Sequence, residues 1–307
     1  MNSELLLPPG LHFFERGWLS SNNVLLVDAT QTVLIDSGYW THADQTLSLV
    51  ASVLHDRPLQ RLLNTHLHSD HCGGNAKLQE RYPALETWVP PGNAAHVFDW
   101  DPAAFNHTTT GQHCPEFKAQ RIIHPGDTFE VADMHWEAYA APGHDPDSLI
   151  FFSPSHKILI SADALWENGF GVVFPEIERM DAFDVVADTL DLIESLQPHL
   201  VIPGHGNVFT DFNGAMSRAR SRLKSFIDDP HKHAAYAAKV LLKFKLLELQ
   251  RVNLNDFLNW AQACELLHTL RQNYAPHTAW KDWLEDMMHG LIAARAARMD
   301  GEYISNL

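Results

Sequence analysis

Of 307 residues only three are cysteines, Cys72, Cys114 and Cys264, far apart and without paired spacing. That excludes a disulfide framework or a CxxC zinc ribbon as the scaffold, and the three read as free thiols. Positive charge is scarce as well: 22 Lys and Arg face 38 Asp and Glu, a net charge of −16. The deficit is uneven. From Ala215 onward there are 13 basic residues against 10 acidic ones, so the excess of acid belongs to the first 214 residues. A polyanion wrapping the whole molecule is thereby disfavoured, because phosphate contacts need Lys and Arg. No apolar run approaches the roughly 18 residues of a membrane span, so no membrane partner is expected. The opening MNSELLLPPG has neither a basic n-region nor a small-residue cleavage site, which makes the cytoplasm the expected compartment. There is no internal repeat, no low-complexity tract, and no triad to support Cys72 or Cys114 as a nucleophile.

Core-forming residues are plentiful, at 45% hydrophobic, enough for one large domain and a smaller one. NNVLLVDATQTVLIDSG (22–38) has two short β-rich runs, 24–27 and 32–35, around polar turn residues, and reads as a hairpin. ADQTLSLVASVLHD carries Leu47, Val50, Ala51 and Leu54 at helical spacing. LQRLL reads as a strand and GGNAKLQERYP as a helix. DTFEV, MHWEAYAA, SLIFFSP and KILISAD are closely spaced strands. DAFDVVADTLDLIESL is an amphipathic helix with Phe183, Val186, Leu190 and Ile193 on one face, and HLVIPGHG is a last buried strand. Between 90 and 127 regular periodicity fades, and a stretch of that length in a compact domain marks a lid or binding loop. After Gly214 the pattern turns helical, so residues 1–214 are expected to form an α/β domain and 215–307 a mainly helical one.

Histidine is the compositional outlier, with 20 residues. NTHLHSDHCGGN (64–75) puts His66, His68, Asp70 and His71 between an apolar strand and a pair of glycines. Burying such groups without partners costs free energy, so they either face water or share a cation. More of the same kind recur at strand ends: His144 in YAAPGHD, Asp163 in ILISAD and His205 in LVIPGHG. All are imidazoles or carboxylates, ligand types that suit zinc and also manganese or iron(II). In an extended stretch alternate side chains point the same way, so His66 and His68 can converge on one ion while the turn into the helix carries Asp70 and His71 toward another. Gly73 and Gly74 let the backbone bend closely there.

This order, HxHxDH followed by PGH, SAD and PGHG, strongly resembles the metallo-β-lactamase-like hydrolase superfamily over residues 10–214, and the opening motif looks most like its glyoxalase II branch. The resemblance implies an αββα sandwich of two mixed sheets with metals at one edge, to which a small, mainly α-helical C-terminal domain is added. It implies two divalent ions, zinc first, with iron or manganese as alternatives. His66, His68 and His144 would hold one ion, Asp70, His71 and His205 the other, and Asp163 would bridge them. Hydroxide generated between the ions would attack a small ester, thioester or lactone, with Asp70 as acid and base. The C-terminal segment lacks a recognisable glutathione-binding Arg/Lys cluster, which argues against glutathione thioesters. His113, Trp166 and Asn168 are the candidate substrate contacts, Cys72 a small packed residue, and His107 and Cys114 solvated loop residues.

The close of the chain, ARAARMDGEYISNL, reads as a helix, a Gly turn and a short strand, a winged-helix-like shape that occurs at the C-terminus of some members of the superfamily. Its near-neutral charge favours packing or homodimerisation over nucleic-acid reading. Other classes stand beside the hydrolase. The basic run RARSRLK (218–224) motivates a metal-dependent nuclease. A one-iron persulfide dioxygenase would share the fold, but the full set of second-ion ligands opposes it. A non-enzymatic regulator is the fourth.

Overall fold

The runs NVLLV and TVLI have no polar face, so a sheet built from them must be covered on both sides. The computed structural model, which describes residues 7–307, shows that cover. One sheet holds β1 (Leu11–Phe14), β2 (Asn23–Val27), β3 (Thr32–Ile35), β4 (Arg61–Leu63), β5 (Glu86–Val89) and β6 (Arg121–Ile122) in that order. Its first three strands are antiparallel and β3 to β6 run parallel. The second sheet contains β7 (Thr128–Val131), β8 (Met134–Ala140), β9 (Leu149–Ser153), β10 (Ile158–Ala162) and β11 (Leu200–Pro203), ordered β11-β10-β9-β8-β7. It too is mixed, since β10 and β11 are parallel and the rest antiparallel.

The helices of this part are α1 (Ala43–Leu54), α2 (Ser69–Cys72), α3 (Asn75–Arg81), α4 (Ala94–Phe98), α5 (Phe174–Ile177), α6 (Phe183–Leu196) and α7 (Phe212–Asp228). Strand alternation sorts the apolar residues into layers. Val24, Leu26, Val33 and Ile35 pack against Trp136, Phe151, Ile160 and Ile202 between the sheets. Leu25, Leu34 and Leu62 point outward onto Val50, Leu54 and Leu78 of α1 and α3. On the far side Ile150, Phe152, Leu159 and Val201 meet Leu190 and Ile193 of α6 and Ala219 and Leu223 of α7. This is the expected αββα sandwich.

The expected division after residue 214 falls inside α7. Ala215, Met216, Ala219, Leu223 and Phe226 are buried in the sandwich's outer core, whereas the helical unit's own cluster takes its first residue of the following helices at Ala234. A shift in composition pointed to 214; packing groups α7 with the sandwich.

Beyond it lie α8 (Pro230–Leu249), α9 (Leu254–Ala263), α10 (Glu265–Tyr274) and α11 (Trp280–Ala293). A three-stranded antiparallel sheet accompanies them: β12 (Arg251–Asn253), β13 (Ala297–Asp300) and β14 (Tyr303–Asn306), ordered β12-β14-β13. The Gly turn read at the end of the chain is Gly301, at φ +61° between β13 and β14. The core here, which includes Leu241, Leu242, Phe257, Leu267 and Leu284, also takes in Val172 and Ile177 from the chain after β10. Segment 90–127 contains α4, a 3-10 turn at Pro102–Ala104 and β6, and it has a small core of its own in Val97, Phe105, Cys114 and Phe117 against Leu67 and Cys72. No helix among the described residues is long and apolar enough to cross a membrane.

Candidate metal centre

Four loops, following β4, β8, β10 and β11, bring their polar residues together at one edge of the sandwich. The first is held tightly by the backbone around it. A Cβ on Gly73 would lie 2.4 Å from the Ser69 carbonyl oxygen, and one on Gly74 2.5 Å from that of Ser37. Glycine serves close approach at both positions.

Three ring nitrogens converge first. His66 Nε2 lies 3.0 Å from His68 Nδ1, and His144 Nε2 lies 2.8 Å from the same atom. The other nitrogens of His66 and His144 have acceptors: His144 Nδ1–H donates to the Val172 carbonyl at 2.6 Å, and His66 Nδ1 lies 3.1 Å from Thr65 Oγ1. Their Nε2 atoms are therefore left as bare lone pairs. Burial pushes His68 and His144 down to about 4. Burial also holds His66 well below its ordinary value, with the neighbouring imidazoles adding to the effect. All three are neutral at pH 7, as metal ligands must be.

Carboxylates dominate the adjoining cluster. Asp70 Oδ2 is 3.1 Å from His205 Nε2 and 3.9 Å from His71 Nε2. Asp163 Oδ2 lies 3.4 Å from His144 Nε2 and 3.5 Å from His71 Nε2, so it faces both clusters. Burial disfavours charge on His71, but Asp163, Asp36 and Asp70 outweigh it and raise its pKa. His205 behaves alike under Asp163 and Asp70. Burial would raise Asp163, yet the facing His205, His71 and His144 hold it well below the carboxylate range.

The donor set fits divalent cations. His71 Nε2, which faces the centre, is buried without any hydrogen-bond partner, and a buried orphan of that kind is costly. In the first cluster at most one hydrogen, on His68 Nδ1, is available to contacts with two bare nitrogens. The spacings of 2.8 and 3.0 Å approach the edge, about 3.3 Å, of a tetrahedron with zinc-nitrogen bonds of about 2.0 Å. A cation at the shared focus of these lone pairs would satisfy them together.

Asp36 escaped the sequence reading. Its Oδ2 accepts from His71 Nδ1 at 2.8 Å and from Thr65 Oγ1 at 2.7 Å, and its Oδ1 accepts from the Thr65 amide at 2.9 Å. It fixes the His71 tautomer and points Nε2 inward, the outer role a metal-binding imidazole needs. Trp18, also unanticipated, is 54% exposed and stacks on His205 at 5.4 Å with the planes 8° apart. Phe174 closes the other side, edge-on to His68 and His144.

A cavity of about 110 Å³ opens over His68, Asp70, His144, Asp163 and His205. Trp18, Trp166 and Tyr236 are shared with a second, larger cavity of about 670 Å³. Of the three candidate contacts, Trp166 lines both cavities and donates Nε1–H to Asp163 Oδ1 at 3.2 Å, and Asn168 lines the outer one. His113 is not brought to either: it is exposed, against Trp40 at 5.0 Å. His107 and Cys114 are buried, contrary to their reading as solvated, because the segment folds its own core. Cys72, Cys114 and His107 lie together, with the sulfurs 3.7 Å apart. However, His107 Nε2–H donates to the Leu67 carbonyl at 2.8 Å and the Cys72 thiol points to the same oxygen at 3.6 Å. Burial pushes the Cys72 thiol up, so the trio reads as packing.

Residues 16–205 match the family described as "Metallo-beta-lactamase superfamily". Similar proteins include the lactamase-like protein nscB of Neosartorya fischeri, 26% identical over 76% of this chain and spanning 58% of that protein's length. The acyl-coenzyme A thioesterase MBLAC2 of Homo sapiens is 24% identical over 76% of this chain and 89% of its own. The atrochrysone carboxyl ACP thioesterase of Aspergillus fumigatus is 23% identical over 81% of this chain and 68% of its own. Among solved structures, a metallo-beta-lactamase family protein from Thermus thermophilus matches with a TM-score of 0.59 over 97% of this chain and 99% of that one, at 18% identity. A beta-lactamase domain protein from Burkholderia ambifaria matches at 0.58 over 89% and 92%, with 20% identity. At such identities the structural likeness speaks for the fold alone.

Proposed function

The chain belongs to the metallo-β-lactamase superfamily, and from that premise we propose that it is a dinuclear hydrolase of thioesters. The observation that carries this reading is Asp163 Oδ2, set 3.4 Å from His144 Nε2 and 3.5 Å from His71 Nε2, between two ligand clusters. His66, His68 and His144 would hold one ion and Asp70, His71 and His205 the other, with Asp163 common to both. Thioesters come forward among ester, thioester and lactone because two of the relatives above bear thioesterase names.

When bound, two divalent ions lower the pKa of a shared water toward neutrality and polarise a substrate carbonyl. The chain's own residues do the rest. Asp70 turns Oδ2 to His205 and lines the inner cavity, where its carboxylate would accept the proton of the attacking water and return it to the departing thiolate. Phe174 and Trp166 exclude water on either side, and Trp166 Nε1–H orients Asp163. The basic run 218–224 gives the nuclease alternative little support, because Arg218, Arg220 and Lys224 are paired with Asp211, Asp191 and Asp228.

Elemental analysis of purified, zinc-supplemented protein should give two divalent ions per chain, with His68→Ala losing one and His71→Ala the other. Both variants should lose about a hundredfold or more of thioester hydrolysis. One iron per chain, or no turnover across esters, thioesters and lactones, would overturn the reading.

A further inference from the structure

Apart from His205 and Trp166, which the two cavities share, the residues lining the outer cavity have no part in that chemistry. At about 670 Å³ it offers far more room than a short acyl group needs. Its charged lining, apart from His205, is Arg222, Lys239, Lys243, Glu15 and Glu167. Lys243 is already satisfied, donating to the carbonyls of Ala296 at 2.7 Å and Leu307 at 2.9 Å. Glu15 accepts the Asn207 amide at 2.9 and 3.0 Å in the amide orientation that satisfies both groups. Arg222 and Lys239, both half-buried, have no carboxylate partner among the described residues.

Arg222 is the exception within its own basic run. Its three neighbours there pair with carboxylates on the surface: Arg218 with Asp211 at 3.3 Å, Arg220 with Asp191 at 2.7 Å and Lys224 with Asp228 at 2.8 Å. Arg222 instead lies 5.3 Å over the Tyr236 ring and donates to the Phe170 carbonyl at 3.3 Å. Gly169 makes room for it. A Cβ there would sit 2.6 Å from the guanidinium carbon, and the residue holds φ +125°, where L side chains are strained. In a chain of net charge −16, two cations drawn partly out of water face one cavity, and among the described residues neither is in ion-pair contact with Glu15 or Glu167, the carboxylates that share its lining. Partial burial of an unpaired charge is unfavourable unless an anion completes it.

We propose that the outer cavity holds the leaving-group arm of the substrate and that Arg222 and Lys239 bind a phosphate on that arm, so that the acyl group is carried on a phosphorylated thiol. The proposal rests on the thioester reading of the metal centre. The guanidinium fork matches two phosphate oxygens and the ammonium adds a point charge; together they suit a dianion better than a single carboxylate. Trp18, Trp166 and Tyr236 wall the passage between the cavities, where the uncharged part of the arm would run. The reaction needs no other participant than water: its oxygen bonds to the acyl carbon, the C–S bond breaks, and the thiol leaves with a proton.

The test uses one acyl group on three thiols: coenzyme A, pantetheine, which has no phosphate, and glutathione, which has only carboxylates. The full-length, zinc-loaded protein should show a kcat/KM for the coenzyme A thioester at least about tenfold above the other two, carried by KM. Arg222→Gln and Lys239→Gln should each shrink that preference about tenfold. Calorimetry with S-methyl coenzyme A, which cannot be hydrolysed and whose capped sulfur is a poor metal ligand, reads binding alone. Each variant should weaken it about tenfold. Equal turnover of the pantetheine or glutathione thioester, or variants that leave both preference and binding unchanged, overturns the phosphate subsite. If no thioester is hydrolysed while S-methyl coenzyme A binds and both variants weaken it, the subsite stands and the hydrolase reading falls.

Discussion

Asp36 touches none of the cavity space, yet both of its oxygens are engaged, by the Thr65 amide, the Thr65 hydroxyl and His71 Nδ1. Replacing it with alanine frees the His71 ring to turn. Chelator competition should then show the weaker of the two ions bound about 10 to 100 times less tightly; an unchanged affinity would remove Asp36 from the metal centre. Its type and place were visible in TVLIDSG, the same strand-then-acid pattern that singled out Asp163. Its reach to a histidine 35 residues onward was not, because nothing local records that partner. His113 is the converse, a suitable residue type placed outside the cavities. At His233, burial pushes the pKa down to about 4 while Nε2 accepts the Val173 amide at 3.0 Å. The unfolded chain, titrating near 6.5, binds the proton first. This histidine's contribution is therefore intact above about pH 6.5 and is lost as pH falls toward 4, by at most about 3 kcal/mol. In metal-loaded protein, where His66, His68 and His144 are held by ions, the melting temperature should drop over that window, and His233→Gln should flatten the drop. An identical slope in the variant would show that His233 does not titrate there.

Segment 90–127 was legible as a loop because its periodicity fades, but not as a clamped one. Trp260 Nε1–H on α9 donates to the Gly111 carbonyl at 3.3 Å, and the Leu266 amide at the start of α10 donates to the Thr109 carbonyl at 3.0 Å. On the other side Gln112 accepts the Ser69 hydroxyl beside the ligand loop. The segment thus joins the metal loop to the C-terminal helices, with Gly111 meeting Trp260 across 149 residues of sequence, a separation no pattern of apolar spacing can express. Trp260→Ala should speed amide hydrogen exchange across 99–117 while leaving the metal content intact. Unchanged exchange there would mean that the loop's own core suffices to hold it. The placement of α7 failed for a related reason: its charged surface resembles the segment after it, whereas its buried face belongs to the layer before it.

Over the whole molecule, the sandwich was readable through the resemblance that the ordered HxHxDH, PGH, SAD and PGHG motifs carry, whereas strand and helix spacing alone indicated only an α/β protein. The manner in which the second unit attaches was not readable. Val172 and Ile177 are buried among the C-terminal helices, the Tyr274 hydroxyl donates to the Glu176 carbonyl at 2.6 Å, and Asn273 donates to that of Ile177 at 2.9 Å. Val172 in turn offers its carbonyl to His144, so the join sits directly behind a candidate ligand. The metal-loaded chain should unfold in one cooperative transition. A version ending at residue 229, with Val172 and Ile177 uncovered, should melt at lower temperature and expose apolar surface to a dye. Two separate transitions in the intact chain would show that the units are independent.

The parallel stack of Trp18 on His205 makes the mouth of the cavity an optical reporter. An ion captured by His205 draws electron density from the imidazole, and an indole 5.4 Å above that ring should register it as a change in emission. With Trp18→Phe subtracted to remove the other eight tryptophans, titration of metal-free protein should give a signal that survives His68→Ala and vanishes in His71→Ala. Light from one exposed side chain would then follow the filling of one half of the centre independently of the other.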